Sequence, residues 1–444
     1  MIDVLLTYQH KAREIESLCL LKYELEKRGY TTAFCCTFDL KRIGKYYKQA
    51  KAIVTSSLYD DASLWFFVYD IAGFSPKVIN LQWEQVLTNF DETNPNCFHN
   101  PKGSARYALH LCWGNASQKR IVKGGVPENN AIVTGAIHLD FLRPEMRSYF
   151  LSRDELANEF NLNKNHSWCL FISSFTMHNM TDEEFADIVR SYGKEAIEMK
   201  QISIKSKRII LQWLTHLLSE MQDTDFIYRP HPDETTDQDL LEMERIYSNF
   251  HIISAYSARQ WIIQCDKVML WYSTAAAEVA FAEKGFAILR PIAIPEQYDI
   301  SIYRGANFIQ DIDSLRKFMQ NNIDKLPLDL NILNNYYFKD SNVPAYVRIV
   351  DLIEETLHTS NYDMKMQPHK LIIAAHMLLK RIKYSAKNIL SGILKQYAAK
   401  IPLIGKTMDY HISMKSRMIR DFPKNFADEN EISRIMKKLN QVIS

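Results

Sequence analysis

The chain has no two cysteines in C-x-x-C spacing and no even set that would pair off. Its seven, Cys19, Cys35, Cys36, Cys97, Cys112, Cys169 and Cys265, suggest neither a disulfide framework nor a zinc knuckle, and they suit a reducing cytoplasm. The opening, MIDVLLTYQHKAREIE, lacks a basic stretch followed by an apolar core, and no uninterrupted apolar run approaches the roughly 18 residues of a spanning helix. The expectation is a soluble or peripheral protein. In a cytoplasmic setting the Asn-x-Ser/Thr sequences at Asn115 and Asn179 carry no glycan. No G-x-G-x-x-G follows the first apolar run, which removes support for a nicotinamide or flavin dinucleotide. No recognised nucleic-acid motif is present either, so nucleic acid is not an expected partner.

What is present suffices for a large core. At 444 residues, 47% hydrophobic and 24% charged, the chain is too long for one ordinary domain, and two domains with an addition are expected. Residues 1–145 alternate strand and helix. Asp3 to Thr7 reads as a buried strand, Ala12 to Arg28 as an amphipathic helix stopped by Gly29, and Thr31 to Cys36 and Ala52 to Ser56 as further strands. That is a Rossmann-like half. Val78 to Leu81 makes another strand and releases Gln82, Trp83 and Glu84. A carboxylate leaving a strand's carboxyl end is placed to act as general base on an acceptor hydroxyl, which makes Glu84 the catalytic candidate here. Asp60 and Asp61 are its rivals, and a solvated Glu opening a helix is the plain alternative. The polar residues 85–104 are either cover for an acceptor site or simple connection. His138, between Gly135 and Asp140, reads as structural.

A second α/β unit is expected over 146–360. After a helix at Arg153 to Phe160, Trp168 to Ile172 reads as its first strand, followed by Ser173 and Ser174 in a hydroxyl-rich turn suited to donor phosphate or sugar. Helices over Asp182 to Glu198 and Lys205 to Gln222 come next. Phe226 to Arg229 and Lys267 to Trp271 then read as parallel strands delivering side chains to one sheet edge, where open α/β sheets bind ligands. The first releases Arg229, Pro230, His231 and Pro232, with two prolines fixing the backbone around one imidazole. The second releases Tyr272, Ser273 and Thr274. Either hydroxyl would cap the Ala-rich helix that follows, whose start offers N–H groups to an anion. Taken singly these are a cap and a turn histidine; their order and spacing together point to a nucleotide mono- or diphosphate. Asp313 to Asn321 and Pro344 to Leu357 read as closing helices.

YRPHPDE, followed by DKVMLWYSTAAAEVAFAEKGFAILRP, resembles the carboxyl-terminal donor domain of bacterial surface-carbohydrate biosynthesis proteins with the GT-B fold. That group includes capsule Kdo transferases, sialyltransferases bearing an HP motif, and CDP-glycerol glycerophosphotransferases. IVTGAIHLDFLR, residues 132–143, is similar to the segment linking the two halves in that group. The resemblance covers residues 1–355 and implies an α/β GT-B architecture: Rossmann-like domains over 1–145 and 146–360 facing a central cleft, with 361–444 as a helical appendage. It implies a glycosyltransferase that moves a sugar from a nucleotide-activated donor, by preference a CMP-activated ulosonic acid such as Kdo or a sialic-acid relative, to a surface polysaccharide or lipid-linked acceptor. It gives Glu278, four residues after Thr274, the place of a carboxylate that binds a ribose or sugar hydroxyl. An acidic residue stands near the position of Glu84 in the family, although the family's flanking acids and glycine are absent here. GT-B sites commonly stabilise the leaving phosphate with His, Arg and a helix dipole, and no D-x-D ends a strand, so no metal and no cofactor are implied. Three other readings stay open: a CDP-polyol phosphotransferase of teichoic-acid type, a UDP-sugar 2-epimerase-like enzyme, and a non-catalytic assembly subunit.

Charge is segregated along the chain. Residues 370–420 hold eleven Lys and Arg against one acid, Asp409, hence +10 in a chain whose total is +2, interleaved with apolar stretches such as LIIAAHMLL and IPLIG. Basic amphipathic helices bind anionic membrane surfaces, which predicts attachment at the inner face of the cytoplasmic membrane. A packed bundle with a solvated basic face is the alternative.

Overall fold

The computed structural model describes residues 1–178, 180–182, 185, 186, 188, 189, 193, 195–321, 326–340, 342–359 and 422–443. The chain divides into two compact units. One takes Met1–Gln85, Pro95–Gly135 and, so far as described, Phe338–Gln441; the other takes Val86–Asn94, Ala136–Tyr337 and the last residues from Val442.

The first unit is built on six parallel strands, β1 Ile2–Tyr8, β2 Thr32–Cys36, β3 Ala50–Thr55, β4 Lys77–Asn80, β5 Leu109–Cys112 and β6 Ala131–Val133, in the order β2-β1-β3-β4-β5-β6. Val4, Leu5 and Leu6 are wholly buried, as expected of a central strand covered on both faces. The helix Lys11–Lys27 buries Leu18, Leu20, Leu21 and Leu25 and ends before Gly29, whose φ of +88° is the left-handed conformation that stops helices. Because β2 and β3 flank β1 on opposite sides, the winding reverses between β1 and β3, and the carboxyl ends there are where such sheets bind ligands.

The helix Ala345–His358, expected to close the second unit, belongs to the first. Its Ile349, Val350 and Ile353 are buried. Arg28 Nη1 donates to Asp351 Oδ1 at 2.7 Å and Glu354 Oε2 at 3.0 Å, and the Tyr30 hydroxyl to Glu354 Oε1 at 2.8 Å. Gly135, where the chain leaves this unit, has φ +85°, and a Cβ there would stand 2.6 Å from the Phe338 carbonyl, where the chain returns; only glycine fits such an approach. Residues 422–441 also pack here. The Ala427 N–H donates to the Tyr8 hydroxyl at 3.1 Å, Lys11 pairs with Glu431 at 3.0 Å, and Leu439 is fully buried. The basic segment 370–420 lies outside the described residues, and no described helix is long and apolar enough to cross a membrane.

The second unit repeats the plan with β7 Ser167–Ile172, β8 Thr224–Arg229, β9 Phe250–Ile252, β10 Lys267–Leu270, β11 Phe286–Leu289 and β12 Phe308–Ile309, all parallel in the order β12-β11-β10-β7-β8-β9. Its winding reverses between β7 and β10. Instead of a break near 198–205, one 26-residue helix runs Glu195–Glu220. Nothing in QISIKS interrupts it, and Ile202, Ser203, Ser206, Lys207, Ile210, Leu211 and Leu214 are all buried. That stripe packs on Phe171, Phe175, Phe226 and Tyr228 in the core, and it brings one lysine with it.

Candidate functional site

The RPHPDE turn follows β8 directly. The His231 side chain is 42% exposed, while the turn beneath it is locked. The Glu234 N–H donates to the His231 carbonyl at 2.8 Å, and Glu234 Oε2 accepts the His231 backbone N–H at 3.3 Å. The Asp233 N–H donates to His231 Nδ1 at 3.1 Å, so the neutral ring carries its proton on Nε2. That puts the ring's N–H donor on the far side of the imidazole, which suits a phosphate oxygen.

Below the turn lies a buried polar network. Lys207 Nζ pairs with Glu234 Oε1 at 3.2 Å and Asp237 Oδ2 at 2.6 Å, while Asp237 Oδ1 caps the helix Gln238–Ile246 by accepting the Leu240 N–H at 3.1 Å. The Tyr228 hydroxyl stands 2.7 Å from Glu234 Oε1 and 2.8 Å from Ser173 Oγ, and Ser173 Oγ donates to Glu234 Oε2. Burial, with the Glu234 charge next, pushes the Tyr228 phenol up. Ser173 is thus spent inside the protein rather than offered to a ligand.

The other expected donor contacts fare differently. Ser174 Oγ accepts the Tyr272 N–H at 3.3 Å, joining the ends of β7 and β10 at the winding reversal, and the Tyr272 hydroxyl donates to the Tyr298 carbonyl at 2.6 Å. The Arg229 guanidinium turns away to the carbonyls of Ser254, Ala255 and Tyr256. Pro232 and Thr274 are exposed. The helix after β10, Ala276–Phe281, has only six residues, and Ala275 rather than a hydroxyl residue occupies its cap; Ser273 Oγ instead accepts the Ala275 N–H at 3.3 Å. So short a helix contributes little dipole to an anion. Glu278 Oε1 accepts from Arg259 Nη1 at 3.0 Å, with both side chains mostly buried. Sequence reasoning passed over Arg290, a buried cation that ends β11: its Nη2 pairs with Asp299 Oδ1 at 2.9 Å, and its guanidinium lies 5.0 Å from the Tyr303 ring centre.

In the first unit Glu84 leaves the carboxyl end of β4 as expected, but in company. Asn80 Oδ1 accepts the Gln82 N–H at 3.2 Å and holds Gln82 at φ +48°, rare for a non-glycine residue. Gln82 Nε2 then donates to the His99 carbonyl at 2.8 Å. His99 Nε2 meets Glu84 Oε2 at 2.9 Å, and Arg13 Nη1 meets Glu84 Oε1 at 3.1 Å. Cys97 Sγ stands 3.7 Å from His99 Nδ1. The His99 hydrogen bond, reinforced by Arg13, holds Glu84 down at about 2. Burial opposes charge on His99, yet its bonds to Cys97 and Glu84 raise it to about 9. At neutral pH the two form an imidazolium–carboxylate pair. Nearby, Glu14 is fully buried and accepts the Gln9 N–H at 2.9 Å and the His10 N–H at 3.2 Å, and Arg13 Nη2 reaches its Oε1 at 3.3 Å. Asp60 is taken up as a cap, its side chain accepting the Ser63 N–H at 2.8 Å, and Asp61 Oδ1 accepts the Ser104 N–H at 2.7 Å. Among the described residues no three His, Cys, Asp or Glu stand where they could hold a metal ion.

No protein-family model matches the chain, and no curated protein matches it in sequence. Solved structures do match in fold. The wall teichoic acid polymerase TagF is 13% identical, with 80% of this chain and 89% of that chain covered and a TM-score of 0.55. A histidine-to-asparagine variant of TagF soaked with CDPG is 12% identical, with 80% and 88% covered and a TM-score of 0.53. S. aureus MnaA with UDP is 11% identical, with 80% and 97% covered and a TM-score of 0.47. The likeness to TagF shows the fold: two α/β units, each with a six-stranded parallel sheet, of the GT-B type.

Proposed function

We propose that the chain is a glycosyltransferase that binds the nucleotide of an activated donor at the carboxyl edge of its second sheet. The observation that carries this reading is His231, a half-exposed imidazole whose Nδ1 accepts a backbone N–H and whose Nε2 therefore carries the proton that a leaving phosphate would accept in a hydrogen bond. By resemblance the favoured donor is a CMP-activated ulosonic acid, passed to a surface polysaccharide or lipid-linked acceptor. A CDP-activated polyol is the second reading, favoured by the shared fold with TagF, one structure of which was soaked with CDPG. Glu84 serves the acceptor hydroxyl. Held at about 2, it is ionised at every working pH but a weak base, so it gains proton affinity only as an incoming hydroxyl displaces His99.

Melting curves with CMP, CDP, UDP and GDP test the nucleotide, since a ligand bound only by the native state adds about 2.7 kcal/mol at a hundred times its Kd. A cytidine nucleotide should raise the melting temperature and the others should not. His231→Ala should leave the nucleotide-free melting curve in place while lowering turnover about 100- to 1,000-fold, the usual cost of one transition-state donor. Unchanged turnover would sink the assignment. The basic segment is proposed to hold the protein on anionic lipid, each cation contributing about 1 kcal/mol within a Debye length. Deleting 370–420 while keeping the carboxyl-terminal residues from 422 on, of which 422–441 belong to the first unit, should abolish sedimentation with anionic vesicles. Retained sedimentation would assign the contact elsewhere.

A further inference from the structure

The Lys207 and Glu234 side chains are each 1% exposed, so both charges are held out of water. Lys207 stands in the stripe with Ile210, Leu211 and Leu214, where an apolar residue would pack at lower cost than a charge taken out of water. Such a breach of patterning marks a place where something other than stability is served. What the network touches says what that is.

Four donors converge on the Glu234 carboxylate: the Lys207 ammonium at 3.2 Å, the Tyr228 hydroxyl at 2.7 Å, the Ser173 hydroxyl, and the His231 backbone N–H at 3.3 Å. Three come from rigid elements, namely the helix Glu195–Glu220 and the ends of β7 and β8. The fourth is the peptide group of the residue proposed to meet the phosphate. Lys207 also grips Asp237, which caps the next helix, so both ends of the segment 234–237 are tied to one ammonium. We propose that Glu234 is the positioning residue for His231, with Lys207 as its buried counterion. This rests on the reading of His231 as the donor-phosphate contact. Pro230 and Pro232 stiffen the chain on either side, and Glu234 fixes the remaining freedom, so that the Asp233 N–H reaches Nδ1 and the imidazole proton stays on Nε2.

Glu234→Gln tests this with little change in volume. An amide accepts on one oxygen only, so it cannot serve all four donors, while the remaining Lys207 and Asp237 charges still balance. Histidine-labelled protein reports the result directly, because the ring nitrogens of His231 give separate signals for the Nε2–H tautomer. In the wild type they should show that single tautomer, and in Glu234→Gln they should average between the two forms. With CMP-Kdo or CDP-glycerol, whichever the protein turns over, kcat should fall about 10- to 100-fold, as for loss of an orienting partner, while donor KM stays within about twofold. A fall in kcat with the His231 signals unchanged would overturn the proposal, as would unchanged signals and unchanged kcat. If the tautomer is lost but His231→Ala itself turns over normally, the positioning stands and the donor reading falls. Should Glu234→Gln fail to fold, Tyr228→Phe removes one donor and no charge, and partial averaging of the same signals is then expected.

Discussion

The two sheet edges use the same chemistry in opposite settings. At the second edge the cation and carboxylate, Lys207 and Glu234, are sealed from water at 1% exposure each. At the first, Arg13 and Glu84 are 41% and 46% exposed. A sealed network cannot exchange partners without opening the fold, so it can hold a neighbouring group in place and do little else. An open pair loses and regains its hydrogen bonds at small cost, and that suits a group which must release one partner to take another.

The comparison breaks first on stability. Lys207→Met would leave Glu234 and Asp237 facing each other without their counterion, and loss of one partner from a buried pair costs about 3–5 kcal/mol. Glu84→Gln at the open edge should cost about 1 kcal/mol or less. Urea denaturation of the two variants measures both, and similar losses would mean that the exposure difference is energetically empty.

The pH dependence sharpens it. Glu84 lies below its ordinary 4.5, at about 2; its stabilising share is therefore present above 4.5 and lost as pH falls toward 2. His99 lies above its ordinary 6.5, at about 9; its share is present below 6.5 and lost as pH rises through 9. The pair thus contributes most between pH 4.5 and 6.5. The melting-temperature difference between wild type and His99→Gln should peak in that window and shrink on both sides, and a difference that is flat across pH would deny the ion pair. Freed of His99, Glu84 should also return toward 4.5, moving the acid limb of the pH–rate profile upward.

Most of the fold was legible because parallel strands and their helices leave local signals. β1, β7 and β10 are short apolar runs ended by polar residues, and Gly29 stops its helix where expected. The second site was partly legible for the same reason: His231 and Glu234 share one hexapeptide, RPHPDE. Lys207 was readable too, as a charge at a core position of an amphipathic stripe. At the first site only Glu84 was. Arg13, Glu84 and His99 are far apart in the chain, and only the left-handed Gln82 and the fold of residues 95–100 bring them together. The placement of Ala345–His358 escaped notice because a buried helical face does not say which sheet it covers.

The smallest expected effect concerns the hydroxyls after β10. By sequence either Ser273 or Thr274 could cap the following helix. In the structure Ser273 carries the local bonds: its Oγ accepts the Ala275 N–H at 3.3 Å, its own N–H reaches the Tyr303 hydroxyl at 3.3 Å, and that hydroxyl donates back to the Ser273 carbonyl at 2.7 Å. Thr274 is exposed. Ser273→Ala should therefore cost up to about 1 kcal/mol, and Thr274→Ala no more than about 0.5 kcal/mol. Because the two separate in stability, they can be separated in binding. If Thr274→Ala abolishes the CMP-induced rise in melting temperature despite its negligible cost, Thr274 is a ligand group. If Ser273→Ala lowers stability while both variants keep the full CMP response, these hydroxyls only shape the turn, and the phosphate contact at this edge rests on His231.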